Sequence, residues 1–303
     1  MIAARHLAKA YGRVTAVRDL SFDVRPGVVT GFLGPNGAGK STTLRLMLDL
    51  DRGGGTTTFG GRRYRTLARP LTVVGAVLDA AAFHPTRTAR NHLRMLAASA
   101  GIGDARVDDV LALVGLADAA DRRPGGFSLG MGQRLALAAA LLGDPGYLIL
   151  DEPANGLDPE GIQWLRHLLE HLAGEGRCVL VSSHLLAEMA QLAHDLVVIG
   201  RGELIAAGTV EDFVGRFTRR SAVVRSPHAG MLAAVLHEAG LGPVTQEPDG
   251  ALLVADGDLA TIGDLAARHG VALHELSVRT ASLEDAFLQA TAPAAQYRAR
   301  VRA

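Results

Sequence analysis

Apolar and polar positions alternate along residues 1–30, through ARHLAKAYG and TAVRDLSFDVRPG, and this period of two predicts antiparallel strands joined by short turns. The next stretch, VVTGFLG at 28–34, is apolar without alternation and predicts a short buried strand, whereas STTLRLMLDL after Lys40 carries helical spacing. Residues 51–79 return to strand and turn character through GGGTTTFGG and TVVGAVLD. From Arg87 to Ala120 the spacing is helical again, in TARNHLRMLAASAG and ARVDDVLALVGLADA. A loop, DRRPGGFSLG, leads into the helix MGQRLALAAALLG. Then a buried strand (YLILD), a helix (PEGIQWLRHLLEHLAGEG), a buried strand (CVLVSSH), a helix (LLAEMAQLAH) and a strand (DLVVIGRG) follow. Wholly apolar strands alternating with amphipathic helices predict an α/β fold whose parallel sheet is covered on both faces.

Past Val210 the rhythm changes. SAVVRS, HAGMLAAVLHEAG, PVTQEP, GALLVADG, TIGDLAARHG and VALHELSVR read as strand-helix-strand-strand-helix-strand, the order of a ferredoxin-like α+β split unit. FTRRS, at 217–221, predicts the junction, and so a division into domains 1–217 and 218–303. The length of 303 residues suits such a pair, and an apolar fraction of 48% is ample for packed cores.

Charge narrows the function classes. Lys+Arg and Asp+Glu balance at 31 each, so no basic field favours nucleic acid. Cys178 is alone, which excludes a disulfide framework or a cysteine zinc cluster. The start of the chain lacks the apolar stretch of a signal peptide, and no apolar run approaches the roughly 18 residues a membrane span needs. The expectation is a cytosolic chain, or one peripheral to a membrane. The only lysines are Lys9 and Lys40; where arginine is the default cation, a lysine can have a particular task.

Lys40 has one. Gly34-Pro35-Asn36-Gly37-Ala38-Gly39-Lys40-Ser41 fits G-x-x-x-x-G-K-[ST] and lies between a buried strand and a helix, where that motif works. Its glycines let successive backbone N–H groups face a phosphate chain, and the helix amino terminus adds partial positive charge. Lys40 would carry a point charge to the outer phosphates, and the Ser41 hydroxyl would complete a Mg²⁺ shell. The pattern predicts a nucleoside triphosphate site. Downstream, YLILD ends in Asp151 and Glu152. In a phosphate-loop protein, an Asp at such a strand end holds Mg²⁺ and the following Glu polarises a water for in-line attack on the γ-phosphate. His184 follows the strand CVLVSSH, where an imidazole could touch the γ-phosphate or orient the two acids; a lone His is otherwise more often structural.

Phe127-Ser128-Leu129-Gly130-Met131-Gly132-Gln133-Arg134 resembles the signature segment of ABC-type ATPases, usually Leu-Ser-Gly-Gly-Gln followed by Gln-Arg. A serine hydroxyl, a glycine N–H and a helix start converge there on one anion site, although Ser128 could also serve simply as a helix cap. The resemblance covers about the first 215 residues, with its motifs in the family's order. It implies a P-loop NTPase cassette: a RecA-like, mostly parallel sheet, an antiparallel β subdomain and a helical subdomain at about 80–140.

By the same resemblance Tyr11 stacks on adenine, and the loop with Thr42 binds ATP. Asp79 falls at the Q-loop position, facing Mg²⁺, while Ser128 and Gly130 bind the γ-phosphate of ATP held by a second copy. Asp151 is the metal acid, Glu152 the catalytic carboxylate, Asn155-Gly156-Leu157-Asp158 the D-loop, and His184 the switch histidine. Two positions depart from the family: Asp79 is shorter than the usual Gln or Glu, and Leu129 and Met131 replace a Gly and a Gln. Phe83, beside the Q-loop, would either face a membrane partner or belong to the core. The chain is similar to ATP-binding subunits of bacterial multidrug or antibiotic export systems of the daunorubicin-resistance type. That likeness implies a homodimer of ATPase chains hydrolysing ATP with Mg²⁺ on a separate integral-membrane permease, at the cytoplasmic face, with no nucleic-acid partner. A soluble ABC-type ATPase acting on nucleic acid or the ribosome is the rival; the single cassette, short insertion and neutral charge speak against it. A module that binds ATP without hydrolysing it is disfavoured by Glu152.

Overall fold

The computed structural model describes residues 1–79, 83–84, 86–183, 185–217, 221–279 and 282–292. The chain opens with β1 (Ile2–Tyr11) and β2 (Val14–Val24), continues through β3 (Val29–Leu33) and α1 (Lys40–Met47), and returns in β4 (Gly54–Phe59). β1 pairs antiparallel with β2, as the alternation over 1–30 predicts, and also with β4, so β1 is the middle strand of a three-stranded sheet. β5 (Val74–Val77) precedes three helices, α2 (Ala89–Ala100), α3 (Asp104–Leu113) and α4 (Leu129–Leu141). Then β6 (Tyr147–Asp151), α5 (Pro159–Gly174), β7 (Cys178–Ser182), α6 (Leu186–Leu192), β8 (Asp195–Gly200) and β9 (Glu203–Thr209) alternate. The described strands of this second group and β3 form a six-stranded sheet in the order β5-β6-β7-β3-β8-β9, parallel except for β9.

Every residue of β3, β7 and β8 is buried, which is why these strands read as apolar runs rather than as alternating ones. Phe22 of β2 and Phe32 of β3 stack with ring centroids 5.5 Å apart and join the two sheets into one core. At the same seam Arg25 forks onto Asp195, with Nε donating to Oδ2 at 2.7 Å and Nη2 to Oδ1 at 2.6 Å. The helix α4 begins at Leu129, two residues before the MGQRLALAAALLG boundary. The cause is Ser128, whose Oγ accepts from the Met131 N–H at 3.2 Å and draws Leu129 and Gly130 into the first turn.

The chain divides into two compact units, Met1–Val210 and Glu211–Ala290. The division falls after the first residue of α7 (Val210–Phe217), whereas composition changes only beyond that helix, at 218. The second unit contains β10 (Ser221–Arg225), α8 (Ala229–Glu238), β11 (Val244–Gln246), β12 (Leu252–Ala255), α9 (Leu259–Arg268), β13 (Glu275–Arg279) and most of α10 (Leu283–Thr291). Its sheet is antiparallel in the order β11-β12-β10-β13, over a core of its own that includes Val224, Leu232, Leu236, Val254 and Ile262. No described helix is long and apolar enough to cross a membrane.

Phe32 is fully buried at the junction of the two sheets. Phe32→Ala is expected to destabilise the first unit by about 3–5 kcal/mol in chemical denaturation. A loss below about 1 kcal/mol would mean that the stack does not hold the sheets together.

Candidate active site

The loop 34–39 leaves the carboxyl end of β3, in the middle of the six-stranded sheet, and feeds α1. Its glycines are dictated by neighbouring backbone. A Cβ on Gly34 would lie 2.7 Å from the carbonyl oxygen of Ile199, and Gly39, at φ +102°, would drive one into the carbonyl oxygen of Ala16. Pro35 is half-buried, Asn36 and Gly37 are exposed, and Ala38 is buried with its N–H donating to Pro35 O at 3.0 Å. Ser41 is exposed and Thr42 half-buried in the first turn of α1, where backbone N–H groups have no helical acceptor.

Lys40 is only 7% exposed, and its Nζ donates to Gly34 O at 2.7 Å. Burial pushes its ammonium below the usual lysine pKa, while the charges of Glu152 and Asp151 pull it back up. The charges of both strand-end acids thus reach the loop lysine, whose Nζ itself is bonded to the backbone. Between β6 and β3 lies β7, and its last residue mediates the approach. Ser182 is level with Asp151 in the ladder; its Oγ donates to Asp151 Oδ1 at 2.5 Å and accepts from the Glu152 N–H at 2.9 Å. The Glu152 N–H also reaches Ser182 O at 3.2 Å. Glu152 itself is left-handed, at φ 51°, a conformation costing a non-glycine residue on the order of 1–3 kcal/mol that persists only where surroundings over-determine it. The two acceptors on Ser182 do so. Asn155 Nδ2 lies 3.4 Å from Glu152 Oε2. Ser182 is the residue that sequence reasoning missed; its one signal was a polar residue closing a fully apolar strand.

The remaining positions spread around this centre. Tyr11 is exposed at the end of β1, with its hydroxyl donating to Asp51 Oδ2 at 2.9 Å and the Lys9 ammonium 4.7 Å from its ring centroid. Asp51 is held below the usual carboxylate range, first by Arg45 and then by Tyr11. Asp79 lies two residues beyond β5, the edge strand, with both β6 and β7 between it and β3. With Phe83, His92 and Leu135 it lines a cavity of about 410 Å³ against the helical segment. Ser128 caps α4, so the plain cap reading is realised; Gly130 lies against Gly156 of the 155–158 loop, where a Cβ would be 2.9 Å from Gly156 O. His184 lies outside the described residues.

Among the described residues no group of three or more His, Cys, Asp or Glu is arranged to hold a metal. One carboxylate, Asp151, and one hydroxyl, Ser41, beside a phosphate cradle fit instead a hard cation that takes most ligands from water and phosphate, as Mg²⁺ does.

A glycine-rich loop leaving the middle of a parallel sheet, two strand-end acids whose charges reach its lysine and a serine-capped helix make up the site, with the arrangement of a nucleotide-hydrolysing cassette. Residues 17–155 match the family model "ABC transporter", and 220–284 match a domain of unknown function. The chain is 36% identical over 282 residues to an uncharacterised ABC transporter ATP-binding protein, YhcH, of Bacillus subtilis, covering 91% of each. It is 40% identical over 209 residues to the bacitracin transport ATP-binding protein BcrA of Bacillus licheniformis, covering 68% of each. The solved structure of an ATP-binding subunit of an ABC transporter superposes with TM-score 0.66 at 27% identity, covering 72% of this chain and 93% of that one. The chain belongs to the ATP-binding proteins of ABC transporters, a family of ATPases. These relatives do not favour an ATPase acting on nucleic acid or ribosomes.

Two outcomes test the centre. Ser182→Ala removes a donor from Asp151 and an acceptor from Glu152, and an unmet buried partner costs about 1–3 kcal/mol. Turnover should therefore fall about tenfold or more in a phosphate-release assay, with nucleotide affinity nearly unchanged. The depressed pKa of Lys40 fixes a second sign. Phosphates favour the charged ammonium, so binding takes up a proton once pH exceeds the pKa of Lys40 in the free protein. ATP affinity should thus fall as pH rises toward 10.5, the ordinary lysine value, starting below it. A fluorescent ATP analogue titrated from pH 7 to 10 would show this, whereas Lys40→Arg should flatten the dependence because a guanidinium stays charged.

Proposed function

We propose that this chain is the ATPase subunit of an antibiotic or multidrug exporter, working as a homodimer beneath a separate integral-membrane permease on the cytoplasmic face of the membrane. The observation that carries the chemistry is the convergence of Asp151 and Glu152 on the buried Lys40, with Ser182 fixing both acids. In this reading Gly34 to Gly39 wrap the phosphates, Lys40 holds the outer two, and Thr42 adds a helix-start contact. Tyr11 stacks on the base. Ser41 and Asp151 would hold Mg²⁺, with Asp79 on the metal side; when bound, the cation neutralises phosphate charge. Glu152 accepts a proton from the attacking water as its oxygen bonds to the γ-phosphorus and the bond to the β-phosphate oxygen breaks. ADP and phosphate are the products. Ser128 and Gly130 bind the γ-phosphate of the ATP held by the second copy, whereas His184, as the switch histidine, is assigned to the γ-phosphate bound by the loop of its own chain.

The export assignment rests on relatives whose names include bacitracin transport, lantibiotic transport and linearmycin resistance. The C-terminal unit, with its strand-helix-strand-strand-helix-strand order and antiparallel sheet, supports the ferredoxin-like reading. Its role in this proposal is to stabilise the dimer or gate turnover, since it carries none of the nucleotide motifs.

Glu152→Gln keeps the side chain's shape and removes the proton acceptor, a loss of about 10²–10⁴ in rate. Phosphate release should cease while ATP stays bound, and added ATP should shift the protein to a dimer in size-exclusion chromatography with light scattering. Near-normal turnover would remove Glu152 from the base role.

A further inference from the structure

The signature-like segment departs from its family at Leu129, and the structure gives that side chain a partner. Leu129 is the first residue of α4 and 66% exposed, yet its side chain lies directly over Gly156, leaving no room for a Cβ there. Gly156, at φ +79°, could hardly be anything but glycine. One turn along α4, the Arg134 guanidinium stacks 4.5 Å from the ring centroid of Trp164 in α5, and Nη1 donates to Val114 O, just past α3, at 2.9 Å. Asp158, which caps α5 by accepting from the Gly161 N–H at 2.9 Å, falls along the chain between Gly156 and Trp164.

From the loop so gripped, hydrogen bonds lead back to the acid. The Asn155 N–H donates to Glu152 O at 3.2 Å, and Asn155 Nδ2 approaches Glu152 Oε2. Leu129 over Gly156 and Arg134 over Trp164 thus fasten the start of α4 to the segment that begins at the carboxylate. A cation held over an indole contributes about 0.5–2 kcal/mol, depending on how far it is desolvated. A leucine side chain on a bare glycine adds an apolar contact that a glycine at position 129 would lack.

We infer that Leu129 and Arg134 are positioning residues for Glu152. In this chain the segment at the start of α4 and the loop 155–158 move as one piece, so an anion bound at Ser128 and Gly130 orients the carboxylate of the same chain. The inference rests on the proposed function for the identity of that anion, and it extends that function by giving the departed signature residue a task within its own chain.

Trp164 is the only tryptophan, so its fluorescence reports on this seam directly. The test uses the full chain and two variants: Leu129→Gly, a surface change that restores the commoner signature residue, and Arg134→Gln. Both should lower kcat about tenfold while KM for ATP stays within about twofold, because a misplaced reacting group costs rate rather than ground-state affinity. In the Glu152→Gln background, saturating ATP should change Trp164 emission, and Leu129→Gly should abolish that change. A merely structural role would lower the melting temperature and leave both kcat and the emission change intact. Wild-type kcat in Leu129→Gly, or an undiminished Trp164 response in Glu152→Gln/Leu129→Gly, would overturn the inference. Turnover persisting in Glu152→Gln alone would instead refute the base role, leaving the fluorescence readout of the seam to stand by itself.

Discussion

A lysine ammonium held out of water beside two carboxylates is the constraint on which the first unit turns. Lys40 is buried, and an unpaired buried charge of that kind is expensive. The structure meets the cost with a backbone carbonyl, Gly34 O, and with the opposing charges of Asp151 and Glu152. Bringing acids and lysine together needs their strands near one another but not adjacent. The order β6-β7-β3 supplies that spacing, at about 4.8 Å per strand. The strand in between then had to end in something that could bond to both acids at once, and Ser182 does.

The same centre accounts for the irregular backbone around it. Gly34 and Gly39 are forced by Ile199 O and Ala16 O, so the loop's path is fixed partly by the three-stranded sheet packed beneath it. Glu152 adopts a left-handed conformation because Ser182 anchors its N–H. Such strain concentrates where chemistry needs a fixed direction for a side chain, and here it falls on the carboxylate assigned to activate water. Asp79, in contrast, leaves the sheet at its edge strand, beside the helical segment.

Much of this was legible in the order of residues. The period of two in residues 1–30 predicts the hairpin β1–β2, and the apolar runs predict β3, β6, β7 and β8, because strands buried on both faces leave no polar positions. The loop 34–41 and the pair Asp151-Glu152 were legible too, since both motifs are local and their chemistry needs fixed spacings along the chain. The helix α4 starts two residues before Met131, because the cap Ser128, three positions ahead of Met131, outweighs a glycine in the first turn. Composition changes after α7, whereas the fold divides at that helix's first residue.

The sequence by itself determined that this chain holds nucleoside phosphates, through contiguous residues whose geometry is set by a strand, a turn and a helix start. Only the tertiary structure decided which distant side chains complete the site. Ser182 stands 31 residues from Asp151 and became its partner through strand register. Leu129 met Gly156 and Arg134 met Trp164 because the first turns of α4 lie over the loop 155–158 and reach one ring on α5. Register and helix packing arise from the burial of whole faces, which couples positions far apart in the chain, and no local spacing encodes which pair will touch.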